Sequence, residues 1–168
     1  MIWQDMPRTC AAPRGRRVKA ALVLGAEHNT YVQLARDNAA RRIVVASHRL
    51  GGSADTSILS PARAAVNAHD VEVTLYYGVE SGPVSGIAAA GLVRAAGADR
   101  IQLRRIFEPR LHAKFLVWDD DDAVITSQNW LSADPPDHSP HSEIGVFLSG
   151  VGIGRDIVER TKNALSGN

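Results

Sequence analysis

Within one short stretch the chain places an imidazole, an ammonium, a hydroxyl and an amide: His112-Ala-Lys114-Phe-Leu-Val-Trp-Asp119, then six residues, then Thr126-Ser127-Gln128-Asn129. These are the groups that a phosphodiester needs. An imidazole can attack phosphorus and form a covalent phosphohistidine, which splits one difficult displacement into two easier ones. Lys114 brings a point charge and Asn129 brings amide donors to the non-bridging oxygens, whose charge must be held through the transition state. Ser127 either positions that amide or donates to the phosphate itself. Lysine is scarce here (Lys19, Lys114 and Lys162), so its presence two residues from the histidine carries weight.

The elements that would position these groups can be read from the flanking pattern. Residues 110–118 and 123–127 are apolar, β-prone runs, and the aspartates 119–122 between them read as a tight polar turn. Residues two apart on a strand share a face, so His112 and Lys114 project together, away from Ala113, Phe115 and Val117. A hairpin closed across the aspartates is expected to pair Trp118 with Ala123, Lys114 with Ser127 and His112 with Asn129. Asp119 then lies at the turn, far from Lys114, and is assigned a structural role tying the turn or an arginine. The four aspartates could hold a hard cation, but the run lacks the glycine and ligand spacing of a calcium loop and reads as a solvated turn, with no metal site expected.

The spacing HxKx4D, x6, TSxN resembles the HKD signature of the phospholipase D superfamily, with Thr126 where that family usually has glycine. The family builds each active site from two copies of the motif, and this chain has one. The resemblance therefore implies a homodimer joined through the motif face, with His112 of each subunit across one phosphate. It also makes Glu143, at the start of the run Ser142-Glu143-Ile144-Gly145-Val146-Phe147-Leu148, the candidate carboxylate that holds the second nitrogen of His112. The implied activity is a metal-independent and cofactor-independent phosphodiesterase working through phosphohistidine, a nuclease cleaving DNA or RNA. Two alternatives stand beside it. One is hydrolysis or transfer at a phospholipid head group, although secreted lipases of the family are longer, with both motifs and a signal peptide. The other is a non-catalytic nucleic-acid-binding module, or half of a longer two-motif protein that needs a further partner.

The remainder reads as one α/β unit, residues 18–168, preceded by a flexible basic arm, 1–17. Apolar segments at 18–25, 42–47, 71–77 and 101–105 alternate with helical patterns near 30–41, 60–68 and 83–96. The hairpin, a strand at 143–148 and a last helix at 155–166 follow. Alternation first and neighbouring strands later imply a mixed sheet with helices on both faces, and the order resembles one phospholipase D-like half-unit. The segment 47–53 is expected to leave a strand as a glycine-containing loop, with His48 and Arg49 placed to meet phosphate. Arg110, beside the motif, is a third candidate for substrate binding. His138 and His141 lack accompanying ligand spacing and read as surface histidines. A net charge of +1 is far from that of an obligate nucleic-acid binder. Cys10 is the only cysteine, which fits a reducing cytoplasm. No secretory signal, membrane-length apolar run or internal repeat is evident.

Overall fold

The computed structural model describes residues 17–82, 84–132 and 142–165. The arm before Arg17 with its Cys10, and the pair His138 and His141, lie outside the described residues. In chain order the elements are β1 (Lys19–Leu24), α1 (Glu27–Asn38), β2 (Arg42–Leu50), a π-helical turn (Asp55–Leu59) leading into α2 (Ser60–His69), β3 (Glu72–Glu80), α3 (Gly86–Ala98), β4 (Ile101–Arg105), β5 (Phe115–Trp118), β6 (Asp122–Thr126), β7 (Ile144–Ser149) and α4 (Ile153–Leu165). The seven strands form one sheet in the order β1-β7-β6-β5-β2-β3-β4. It is mixed: β2, β3 and β4 run parallel, joined by helices as parallel strands must be, and the other pairs are antiparallel.

Helices cover both faces. Val32 and Ala35 of α1, Ala62 and Val66 of α2, and Ala89 and Ala96 of α3 pack with Val45, Leu75, Leu116 and Trp130 in the larger core. On the opposite face Val158 of α4 packs with Val44, Ala46, Phe115, Val117 and Ala123. The middle of β2, Ile43 to Ala46, is buried on both sides, which accounts for its continuous apolar run.

Two local expectations are corrected. First, the hairpin register is one residue shorter: Phe115 faces Ile125, Val117 faces Ala123 and Trp118 faces Asp122. The turn is the three residues Asp119, Asp120 and Asp121, entered through Asp119 at φ 52°, a conformation that aspartate tolerates better than most residues. The Lys114 carbonyl consequently accepts the Thr126 N–H at 3.1 Å, so Lys114 lies opposite Thr126 and not Ser127.

Second, β5 begins at Phe115 and not at 110. β4 is the edge strand and β5 sits on the far side of β2, so residues 106–114 must cross the ends of both β3 and β2 before pairing can begin. The crossing is tight. The Leu111 carbonyl lies 2.4 Å from where a Cβ on Gly78 of β3 would be, so only glycine fits there. On the next strand, His48 Nδ1 stands 3.0 Å from the same carbonyl. β2 itself runs on to Leu50, so His48 and Arg49 belong to a strand and not to the loop expected from their glycines.

Candidate active site

The crossing delivers His112, exposed, to the end of β2, with half-buried Lys114 beside the start of β5. Lys114 Nζ donates to the His112 carbonyl at 3.1 Å. The Lys114 ammonium, then the neighbouring His48 imidazole, then slight burial hold the His112 pKa below the ordinary imidazole value. His112 therefore keeps a free lone pair at neutral pH, which a nucleophile requires. Burial also lowers the pKa of Lys114; the Glu143 carboxylate opposes this and the Arg49 guanidinium adds to it.

Ser127 and Glu143 meet where β6 ends and β7 begins. The Ser127 hydroxyl donates to the Glu143 carboxylate and accepts the Ile144 N–H at 3.1 Å. The Ser127 N–H donates to the Ile144 carbonyl at 2.9 Å, so backbone and side chain are both fixed. The Glu143 carboxylate is thus held by Ser127 within electrostatic reach of Lys114, and within one chain it makes no hydrogen bond to His112, the contact the resemblance implies for it. The ring beside His112 is His48, with centroids 4.6 Å apart and planes inclined at 45°. Asn129 follows buried Gln128 and precedes fully buried Trp130, which anchor it. Its Oδ1 is buried without a hydrogen-bond partner among the described residues, an acceptor that the fold leaves open.

The remaining candidates fall in different places. Arg49 is exposed next to His48 and close enough to Lys114 to act on its ammonium. Arg110 is exposed on the crossing, two residues before His112. Asp119 lies at the other end of β5, where its carboxylate accepts the backbone N–H groups of Ala40 (2.9 Å), Arg41 (2.7 Å) and Arg42 (3.2 Å). Asp120 pairs with Arg41 and Arg42, and Asp121 accepts the Gly152 N–H. These carboxylates fasten the hairpin turn to the start of β2 and the approach to α4. No group of three or more metal-ligating side chains occurs among the described residues.

Two participants were not anticipated from the sequence. His28 of α1 is fully buried, its ring edge-on to Trp130. Its Nδ1 donates to the Gly25 carbonyl at 2.8 Å and its Nε2 lies 2.7 Å from the Thr126 hydroxyl, which also accepts the Gln128 N–H at 3.0 Å. Thr126, the departure from the resembled signature, is thereby a link between α1 and the segment carrying Ser127 and Asn129. Gly145, opposite Thr126, leaves room for that side chain: a Cβ there would be 2.9 Å from Thr126 Cβ. The other participant is Gly78, whose position inside an apolar run is the sequence sign of close backbone approach.

No known family profile matches the sequence, and no curated protein matches it. Solved structures do resemble the fold. Nuc from Salmonella typhimurium, a phospholipase D family member, superposes with a TM-score of 0.67 at 18% identity, over 88% of this chain and 93% of that one. NucT from Helicobacter pylori gives 0.59 at 13% identity, over 89% and 94% of the two chains. Phosphatidylserine synthase from Haemophilus influenzae gives 0.64 at 14% identity, over 84% of this chain but only 35% of that one. The chain therefore has the phospholipase D-like fold, as a mixed sheet with helices on both faces.

Proposed function

We propose that this chain is a metal-independent phosphodiesterase, a nuclease that cleaves DNA or RNA as a homodimer, with His112 as nucleophile. The observation that carries the reading is the convergence, at one end of a phospholipase D-like sheet, of His112, whose pKa Lys114 lowers, Lys114 itself, the Ser127–Glu143 pair and Asn129, which follows on the same segment as Ser127. In this reading His112 attacks phosphorus and the leaving oxygen departs opposite to it. Lys114 and the Asn129 amide hold the non-bridging oxygens. Ser127 and Glu143 keep the Lys114 charge in place.

A nucleic acid is favoured over a lipid because the chain spans nearly the whole of Nuc and NucT but about a third of phosphatidylserine synthase. Dimerisation is supported by an apolar surface that no element covers among the described residues. Leu22, Ile125 and Val146 lie in one row across β1, β7 and β6, with Leu24 and Ile144 in the next row, all exposed. That surface borders Ser127 and Glu143, so a second copy seated on it brings its own site alongside and supplies the second histidine, which protonates the leaving oxygen and then activates water.

The test is to assay plasmid DNA, single-stranded DNA, RNA and phosphatidylcholine side by side in excess EDTA, and to trap labelled phosphoenzyme by rapid denaturation. Cleavage of a nucleic acid with label on His112 is expected. Cleavage only of the lipid, or only with added divalent metal, would overturn the reading.

A further inference from the structure

His112 needs more than a lone pair: one of its two ring nitrogens must carry the proton so that the other faces phosphorus. The partner of the protonated nitrogen decides which it is. The ring best placed for that task is His48. The Leu111 carbonyl can only accept, so the 3.0 Å contact with His48 Nδ1 places a proton on Nδ1, and in the neutral ring that leaves Nε2 as an acceptor. This acceptor sits on a ring inclined at 45° to His112 with centroids 4.6 Å apart. Two imidazoles joined by a linear N–H···N bond of normal length have centroids about 5.2 Å apart, so the pair forms it by rotating the rings and parting them by about half an ångström.

The same distance excludes a different role. A phosphorus attacked in line requires nucleophile and acid on opposite sides, and two rings this close leave no room for a phosphate between them. His48 is therefore not the acid for the leaving oxygen. Its orientation is also not incidental, because Gly78 is the residue that lets Leu111 come low enough to reach it.

We propose that His48 is the positioning residue for His112, in a relay running from the Leu111 carbonyl through His48 to the His112 ring. This rests on the reading of His112 as nucleophile and gives His48 the orienting task. The chain segment that carries His112 is thus the same one that orients the residue holding it.

The test uses three proteins, wild type, His48→Phe and His48→Gln. Phenylalanine keeps the ring but has no acceptor, and glutamine offers an amide oxygen near the place of Nε2. Nitrogen-15 NMR of labelled histidine reads the His112 tautomer without reference to activity, and thermal unfolding checks that each variant is folded. In wild type a single neutral His112 tautomer is expected. In folded His48→Phe the two tautomers should mix and kcat on the cleaved nucleic acid should fall about tenfold or more with KM little changed, and His48→Gln should recover part of both. An unchanged tautomer and kcat in folded His48→Phe would overturn the positioning role while leaving the phosphodiesterase reading intact. A wild type that shows the single tautomer, lost in His48→Phe, but cleaves no phosphodiester would support the role and overturn the reading of function.

Discussion

At the scale of single residues, the proposed function divides the site into groups that would act on phosphate and groups that hold them. His112→Ala removes the nucleophile and spares the phosphate donors, so turnover should vanish in a cleavage assay while nucleic-acid binding, measured by fluorescence anisotropy, stays near the wild-type value. Lys114→Ala and Asn129→Ala should each lower kcat about a hundredfold, the usual scale for one transition-state donor. Lys114 also acts through charge. Because its ammonium is the first cause of the lowered His112 pKa, the neutral ring persists to lower pH than an isolated histidine, and the acid limb of the rate profile should lie below about 6.5. Lys114→Gln removes that repulsion, so His112 should become easier to protonate. Its NMR titration midpoint should move upward, and an unmoved midpoint would place the two side chains further apart than described. Much of this set was legible in the sequence, because His112, Lys114, Ser127 and Asn129 are close in the chain and differ in kind. The His48 contact was not legible as such, since it depends on how a loop crosses the sheet.

At the scale of elements, the hairpin shows where sequence pattern stops being sufficient. An alternating run sets which residues share a face, but the register depends on how many residues the turn consumes, and a string of four aspartates does not mark its own ends. The structure closes the turn in three, with Asp119 in the left-handed region, and every pairing moves by one. The start of β5 was equally hidden, because polar and apolar residues alternate from 110 to 115 whether the segment pairs or crosses. Asp119 makes the turn a joint between distant parts by accepting the N–H groups of three successive residues before and at the start of β2. Asp119→Asn keeps the tolerance for positive φ but loses the charge and one acceptor oxygen. It should cost about 2 kcal/mol in urea unfolding, the scale of hydrogen bonds to a charged group, and leave kcat of the folded protein close to wild type. A large fall in kcat without loss of stability would instead place Asp119 in the chemistry.

At the scale of the whole molecule, the sheet is covered unevenly, and under the proposed function that asymmetry is where a second subunit would sit. Among the described residues, three helices close one face, while α4 alone serves the other and leaves the end formed by β1, β7 and β6 with Leu22, Ile125 and Val146 exposed. Fold class and helices on both faces followed from the alternation of segments, but this bare area did not, because apolar residues in a strand look alike whether a helix or a second subunit covers them. A charge in the middle row, Val146→Glu, should give a folded monomer by light scattering and abolish cleavage, since each phosphate then meets only one His112. Mixed dimers separate shared from independent sites without disturbing the interface. If one phosphate is served by both subunits, each His112→Ala chain disables the whole dimer that contains it. Wild-type and His112→Ala chains co-refolded in equal amounts should then retain about a quarter of the all-wild-type activity, where independent sites would retain roughly half. The reason is statistical: random pairing leaves only dimers with two intact chains able to supply both the attacking ring and the acid. A value near one half would mean that one chain contains a complete site, and the source of the leaving-group proton would then have to be sought within it.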